Sequence, residues 1–343
     1  MVGLSEARTT GLERYGLELI SSLRRYTSED WQIVPFVHPW AAEVLGGDCV
    51  VVPEKMPRPA ALEAWLPVAA KRAGIALMHG TGFGVPTQTP TPIVLTVQDL
   101  ISWEIPDSLT RGNRLYFRPL MERSIRSRRL AGVVATSETT ARGFGMRFPA
   151  RVPVKIARIG IGDWWFETEG SARPERDGGV RILTVGTLEP RKGLQRMVRA
   201  CEILDDAGVL YEWRHVGRSG WGDMQLPPRI ELLGVLSDEL LRAEYDRADL
   251  LVSASTQEGF NLPALEGTAR GCRLVLSDLP VHRELFSRVA TYFSLSGMDS
   301  LGRTLLETAA PTVAQRERSK AVATEFSWSE ACVSISSLWR GIL

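Results

Sequence analysis

The sequence predicts an α/β chain of two Rossmann-like, doubly wound domains facing a central cleft. Three observations predict it. Apolar runs of strand length alternate with segments of helical periodicity along the chain, the pattern of βαβ units. Those runs are continuously apolar, as in "PIVLTV" (92–97) and "DLLVSAS" (249–255), so the strands are buried on both faces and the sheets are parallel. Residues 159–179, "IGIGDWWFETEGSARPERDGG", are rich in glycine and charge and lack periodicity, which breaks the chain in two.

Taken in order, the strand candidates of the first half are 31–37, 49–52, 75–79, 92–97 and 132–137, with helical patterns over 11–26, 59–72 and 111–130. The second half opens on "VRILTVG" (180–186) and a helix near 193–207, then continues with strands at 211–217, 229–234, 249–255, 273–278 and 290–295. The expected division is a domain over 1–160, a linker over 161–179, a second domain over 180–325 and a closing helix over 326–343 that returns toward the first domain. Ligands of such sheets sit beyond the carboxyl ends of the strands, so the cleft is the expected site.

Composition excludes several classes. Apolar residues make up 44% and charged residues 24%, ordinary globular usage. No apolar run is long enough to span a bilayer, and the first residues lack a secretory pattern. Cys49, Cys201, Cys272 and Cys332 are scattered, as are His38, His79, His215 and His282. That spacing is neither a disulfide framework nor a metal site, and a reducing cytoplasm fits it. The net charge of +1 hides an asymmetry: residues 1–160 carry 20 Lys and Arg against 14 Asp and Glu, and the remainder 21 against 26.

The stretch "EGFNLPALE" (258–266) places two carboxylates around a strand-to-helix junction. Pro263 suits the first helical turn. Unpaired N–H groups and the positive end of the helix dipole make that junction a phosphate cradle. Gly259 lets backbone approach a ligand. Glu258 on the loop and Glu266 one turn into the helix then flank an extended anion, and hydroxyls are natural donors to them. The plain alternative is a loop acid and a first-turn acid. Arg191 and Lys192 stand at another helix start, where cations are mildly unfavourable. Binding an anion explains them better than a solvated helix end.

These residues resemble the E-x(7)-E element of family-4 retaining glycosyltransferases, which have the GT-B fold. "VGTLEPRKG" (185–193), which contains Thr187, resembles that family's donor diphosphate loop, and 234–278 follows its pattern nearly throughout. "TGLERY" (10–15, with Gly11), "LTVQDL" (95–100), "VGRSGW" (216–221) and "FSWSEA" (326–331) fall where the family has comparable segments. The resemblance implies an acceptor-side first domain and a nucleotide-sugar-binding second domain. It implies that Glu258 binds donor sugar hydroxyls and Glu266 the ribose. The backbone of Gly259, Phe260, Asn261 and Leu262 would meet sugar and diphosphate, with Arg191 and Lys192 neutralising the latter. No Asp-x-Asp motif is present, so neither a metal nor a further cofactor is expected.

On the acceptor side, His79 ends a strand before a glycine-rich loop and is expected at the cleft lip. The family often has histidine where Gln98 stands; an amide can hydrogen-bond but cannot titrate. Asp99 either positions substrate or caps the following turn. Asn261 stands where the family commonly has glycine and is expected to influence sugar choice. The family has a first strand ahead of its "TG..RY" loop, whereas here only "MVGLSEAR" precedes "TTGLERY", so the resemblance implies that Met1 is internal and that the first domain lacks a central strand lying upstream.

Residues 111–129 carry seven arginines against one glutamate. They form either a face for anionic lipid and a lipid-linked acceptor or a solvated helix face. The expectation is a cytoplasmic hexosyltransferase, at the inner face of the membrane in the first case, with a nucleotide-sugar donor, a sugar or lipid-linked acceptor and no nucleic acid. A non-catalytic sugar-nucleotide-binding protein or scaffold is the alternative. A dinucleotide enzyme is disfavoured because neither half opens with strand–GxGxxG–helix.

Overall fold

A computed structural model describes residues 11–82, 84–149, 151–167, 178–220 and 227–343. The chain divides into two compact units, Met1–Gly160 with Ser327–Leu343, and Ile161–Phe326.

The second unit is a single six-stranded sheet, all parallel. Its strands are β7 (Val180–Val185), β8 (Tyr211–Val216), β9 (Ile230–Gly234), β10 (Leu250–Ser253), β11 (Arg273–Ser277) and β12 (Ala290–Phe293), following β1 to β6 of the first unit. The spatial order is β12-β11-β10-β7-β8-β9, the doubly wound arrangement whose connections reverse between β7 and β10. Leu250, Leu251, Val252, Leu274, Val275 and Leu276 are all buried, which is why these strands read as unbroken apolar runs. Trp213 fills the core at 1% exposure, and its indole N–H donates to Thr184 Oγ1 at 3.3 Å. The helix Leu194–Asp206 packs on the helix Ser300–Glu307, where Gly302 lets Ile203 come close.

The first unit holds two separate parallel sheets: β1 (Phe36–Val37) with β2 (Val50–Val51), and β3 (Met78–Gly80), β4 (Ile93–Val97), β5 (Leu130–Ala135) and β6 (Val154–Ile156) in that order. Among the described residues β1 and β3 do not pair, so the two sheets are separate. A cavity of about 430 Å³ is lined by Val34, Phe36, Leu66, Leu77, His79 and Trp339. Of the expected strand over 31–37, Phe36–Val37 forms β1, and among the described residues 31–35 makes no strand ladder. The first strand is expected upstream of Met1, and the residues before Gly11 lie outside those described.

The helix Gly11–Tyr26 buries Tyr15, Leu19, Ile20 and Leu23 on one face, the 3.6-residue spacing of an amphipathic helix. Against it packs the last helix, Trp328–Arg340: Trp328 lies 5.8 Å from the Tyr15 ring and donates its indole N–H to Glu18 at 2.9 Å. Gly160, where the chain leaves this unit, lies so close to Trp328 that a Cβ there would stand 2.3 Å from its backbone nitrogen. The arginine-rich helix runs over Arg111–Arg126, and three of its arginines meet acids: Arg114 with Asp107, Arg118 with Glu122 and Arg123 with Glu63.

Candidate functional site

The carboxyl ends of β7 and β10 are the switch point of the second sheet, and both expected loops emerge there. After β7 the chain passes Thr187, half buried, into a single tight turn, Pro190–Lys192. After β10 it runs through Ser255 and Glu258 into the helix Leu262–Ala269. The two loops are stitched by backbone. Thr256 N–H donates to Arg191 O at 2.7 Å, and the Arg191 guanidinium donates to Gln257 O at 3.4 Å. Gly193, at φ 71°, ends the turn; a Cβ there would stand 2.1 Å from Ala254 O. Only glycine permits both the left-handed backbone and that approach.

This stitching converges charge. Lys192 Nζ donates to Glu258 Oε1 at 2.6 Å, and Arg191 stands 3.4 Å from the same oxygen while its Nε pairs with Glu189 at 2.9 Å. Ser255 Oγ donates to Glu258 Oε1 at 2.7 Å. The Glu258 side chain is only 9% exposed. Burial pushes its carboxyl up, but the Lys192 and Arg191 charges and the bonds from Lys192 and Ser255 outweigh burial and hold it down at about 2. Burial pulls the Lys192 ammonium below its ordinary value; Glu258 opposes that pull and Arg191 adds to it. The site therefore presents a carboxylate and two cations as one rigid, partly desolvated group.

Asn261 opens the neighbouring helix. It is the one non-glycine residue with positive φ among the described residues, at φ 75° and ψ 67°. Its amide faces inward, to His282 Nε2 at 2.8 Å and Ser253 Oγ at 3.1 Å. Phe260 is buried edge-on against Phe326, so what it offers a ligand is backbone. Leu262 is the first helical residue, where N–H groups lack intrahelical partners. Glu266 is buried, and its Oε2 accepts the Tyr245 hydroxyl at 2.7 Å. Gly259 lies buried in the loop between Glu258 and Phe260.

On β8, opposite Thr184 of β7, His215 donates from Nε2 to Gly186 O at 2.9 Å and accepts from Thr184 Oγ1 at 2.9 Å, with burial lowering its pKa to about 4. Sequence reasoning passes over His215, His282, Tyr245, Ser253 and Ser255, because nothing in their spacing marks them. The strand-to-core position of His215 is the sole signal available.

The remaining expected residues belong to the first unit. Gly11 is the first residue of its helix. Gln98 donates from Nε2 to Thr81 O at 3.1 Å, and its backbone O accepts Thr136 Oγ1. Asp99 Oδ1 accepts the Ile101 N–H at 3.0 Å, which caps the short helix Ile101–Glu104. His79 Nε2 bonds Thr96 Oγ1 at 2.8 Å, its ring stands edge-on to Trp339, and burial lowers its pKa to about 3. Among the described residues its Nδ1 has no hydrogen-bond partner. No group of three or more His, Cys, Asp or Glu that could hold a metal ion is present among the described residues. Nor is any described helix long and apolar enough to cross a membrane.

Comparison with known proteins adds to this geometry. Residues 179–296 match the family model for glycosyl transferases group 1. The serotype-specific mannosyltransferase WbdA of Escherichia coli is 35% identical over 123 residues, 33% of this chain and 15% of that protein. The chain thus spans about 15% of the length of the first relatives it matches. The O-antigen chain mannosyltransferase RfbU of Salmonella typhimurium is 24% identical over 305 residues, 82% of each chain. Among solved structures, sucrose-phosphate synthase from Thermosynechococcus elongatus superposes with a TM-score of 0.73 at 17% identity, covering 99% of this chain and 97% of its own. Anabaena HepE in complex with UDP and glucose gives 0.73 at 14% identity, covering 99% and 98%. These neighbours share the GT-B fold.

Proposed function

We propose that this chain, a group 1 glycosyl transferase through its residues 179–296, transfers a hexose from a nucleoside-diphosphate sugar to a hydroxyl of a growing cell-surface polysaccharide, with retention at the anomeric carbon. The observation that carries the reading is the Glu258 carboxylate, 2.6 Å from Lys192 and 3.4 Å from Arg191, beside the start of the helix Leu262–Ala269. A departing nucleoside diphosphate gains negative charge as the glycosidic bond breaks. Cations and backbone N–H groups already fixed in place stabilise that charge without reorganising. Arg191 and Lys192 take this role, and Thr187 lies on the same loop. Glu258, held ionised, accepts from sugar hydroxyls. Glu266, steadied by Tyr245, accepts from the ribose.

In a retaining transfer on the donor's front face, the leaving phosphate takes the acceptor proton, so no titrating base is needed. Gln98 then acts as a neutral hydrogen-bonding group, and Asp99, His79 and Gly11 belong to the acceptor-side unit. The two cations replace a divalent metal, and transfer rates in EDTA equal to those without it are expected. The relatives named mannosyltransferases support mannose as the hexose and an O-antigen type chain, sugar- or lipid-linked, as acceptor. Contact with anionic lipid at the inner face of the membrane rests on the Arg111–Arg126 helix. Co-flotation with anionic but not neutral vesicles is its expected sign.

A panel of UDP- and GDP-linked hexoses, read by thermal shift and then by transfer to a hydroxyl acceptor, tests the reading. One donor should stabilise the wild type, and Lys192→Ala should abolish that shift. Undiminished binding in Lys192→Ala would refute the assignment.

A further inference from the structure

We propose that His282 is a positioning residue: it locks the Asn261 amide, and through it the left-handed start of the helix Leu262–Ala269, in the form that seats the donor's diphosphate. The inference rests on the functional reading above and assigns a role to a residue outside the expected site.

His282 is fully buried on the helix Pro280–Phe286. Its Nδ1 lies 2.8 Å from Ser277 O. A carbonyl only accepts, so Nδ1 carries the proton and Nε2 offers a lone pair. That lone pair meets Asn261 Nδ2 at 2.8 Å. The second hydrogen of the same amide reaches Ser253 Oγ at 3.1 Å. The tautomer of His282 thus dictates which end of the Asn261 amide faces inward. Burial keeps the ring below its ordinary pKa, with Glu258, Lys192 and Asp278 the charges that bear on it, so the lone pair is present at neutral pH.

Asn261 needs this hold because it is not glycine. At φ 75° an L-residue carries a steric cost that glycine does not. Two hydrogen bonds, to the buried His282 and to Ser253, offset it. Release the amide, and the residue can relax toward negative φ, turning the first N–H groups of the helix away from their common focus. The bonding also reaches Glu258. Ser253 Oγ is 3.4 Å from Ser255 Oγ, which donates to Glu258, and Ser277 Oγ donates to Ser255 O at 2.6 Å. His282 therefore joins the ends of β10 and β11 to both halves of the anion seat.

The test is a double-mutant cycle read by calorimetric titration with UDP and with GDP. His282→Ala should weaken binding of whichever diphosphate the wild type prefers about tenfold. His282→Gln, which keeps an acceptor near the Nε2 position, should recover most of that loss. In an Asn261→Gly background, His282→Ala should change affinity less than twofold, because glycine holds a left-handed backbone unaided. Equal losses in both backgrounds, or no loss in a folded His282→Ala protein, would overturn the inference, and if that variant fails to fold, an affinity of His282→Gln no better than tenfold below wild type overturns it. A wild type that binds neither diphosphate, or a Lys192→Ala protein that binds as well as wild type, would instead refute the functional reading and take this inference with it.

Discussion

At Glu258, neighbours decide the chemistry of the side chain. An isolated carboxylate moved from water to 9% exposure would protonate, yet Lys192, Arg191 and Ser255 hold this one ionised to about pH 2. Its folded pKa is depressed, so its contribution to stability is present above the ordinary glutamate range and lost as pH falls toward 2. Acid titration of the wild type followed by circular dichroism should show that loss between about pH 4.5 and 2, and the Glu258→Gln protein should lack it. For transfer, Glu258→Ala and Lys192→Ala should each lower kcat/KM by about 100-fold or more. Rates near wild type in either would end the assignment. The sequence pattern picks out these residues because helix starts and acidic pairs have recognisable spacing. It passes over Ser255 and His282, which matter only through bonds that folding creates.

Among the elements, the Pro190–Lys192 turn is set by one glycine. Gly193→Ala would push a methyl into Ala254 O and strain a left-handed backbone. Loss of both thermal stability and donor binding is expected, whereas an unchanged melt would show that the loop can give way. A milder case is the helix Val313–Ala323, whose Thr312 and Gln315 form a reciprocal cap. Thr312→Ala should cost about 1 kcal/mol in denaturant unfolding with donor affinity unchanged.

For the whole molecule, the division into units at Gly160 and Phe326 gives each its own sheets and core. A donor that seats at the carboxyl ends of β7 and β10 should raise amide protection across Ile161–Phe326 and leave β4 and β5 unchanged, by about 2.7 kcal/mol at 100 times Kd. Uniform protection of both units would contradict a site confined to the second.

Much of this architecture was legible in the chain. The helices over 11–26 and 194–206, the six strands of the second unit and the helix after "EGFN" stand where periodicity puts them, because parallel strands buried on both faces must be continuously apolar. The three residues of β6 are too short a run to read as a strand, and of the expected strand over 31–37 only Phe36–Val37 pairs among the described residues. By itself the sequence determined the α/β class, the six strands of the second unit and the residue types gathered for an anion, since those follow from local pattern. The tertiary structure alone decided that Lys192 and Glu258, 66 positions apart, meet at 2.6 Å. It alone turned Asn261 inward onto His282, because hydrogen bonds between distant residues depend on strand order and register, which no local pattern encodes.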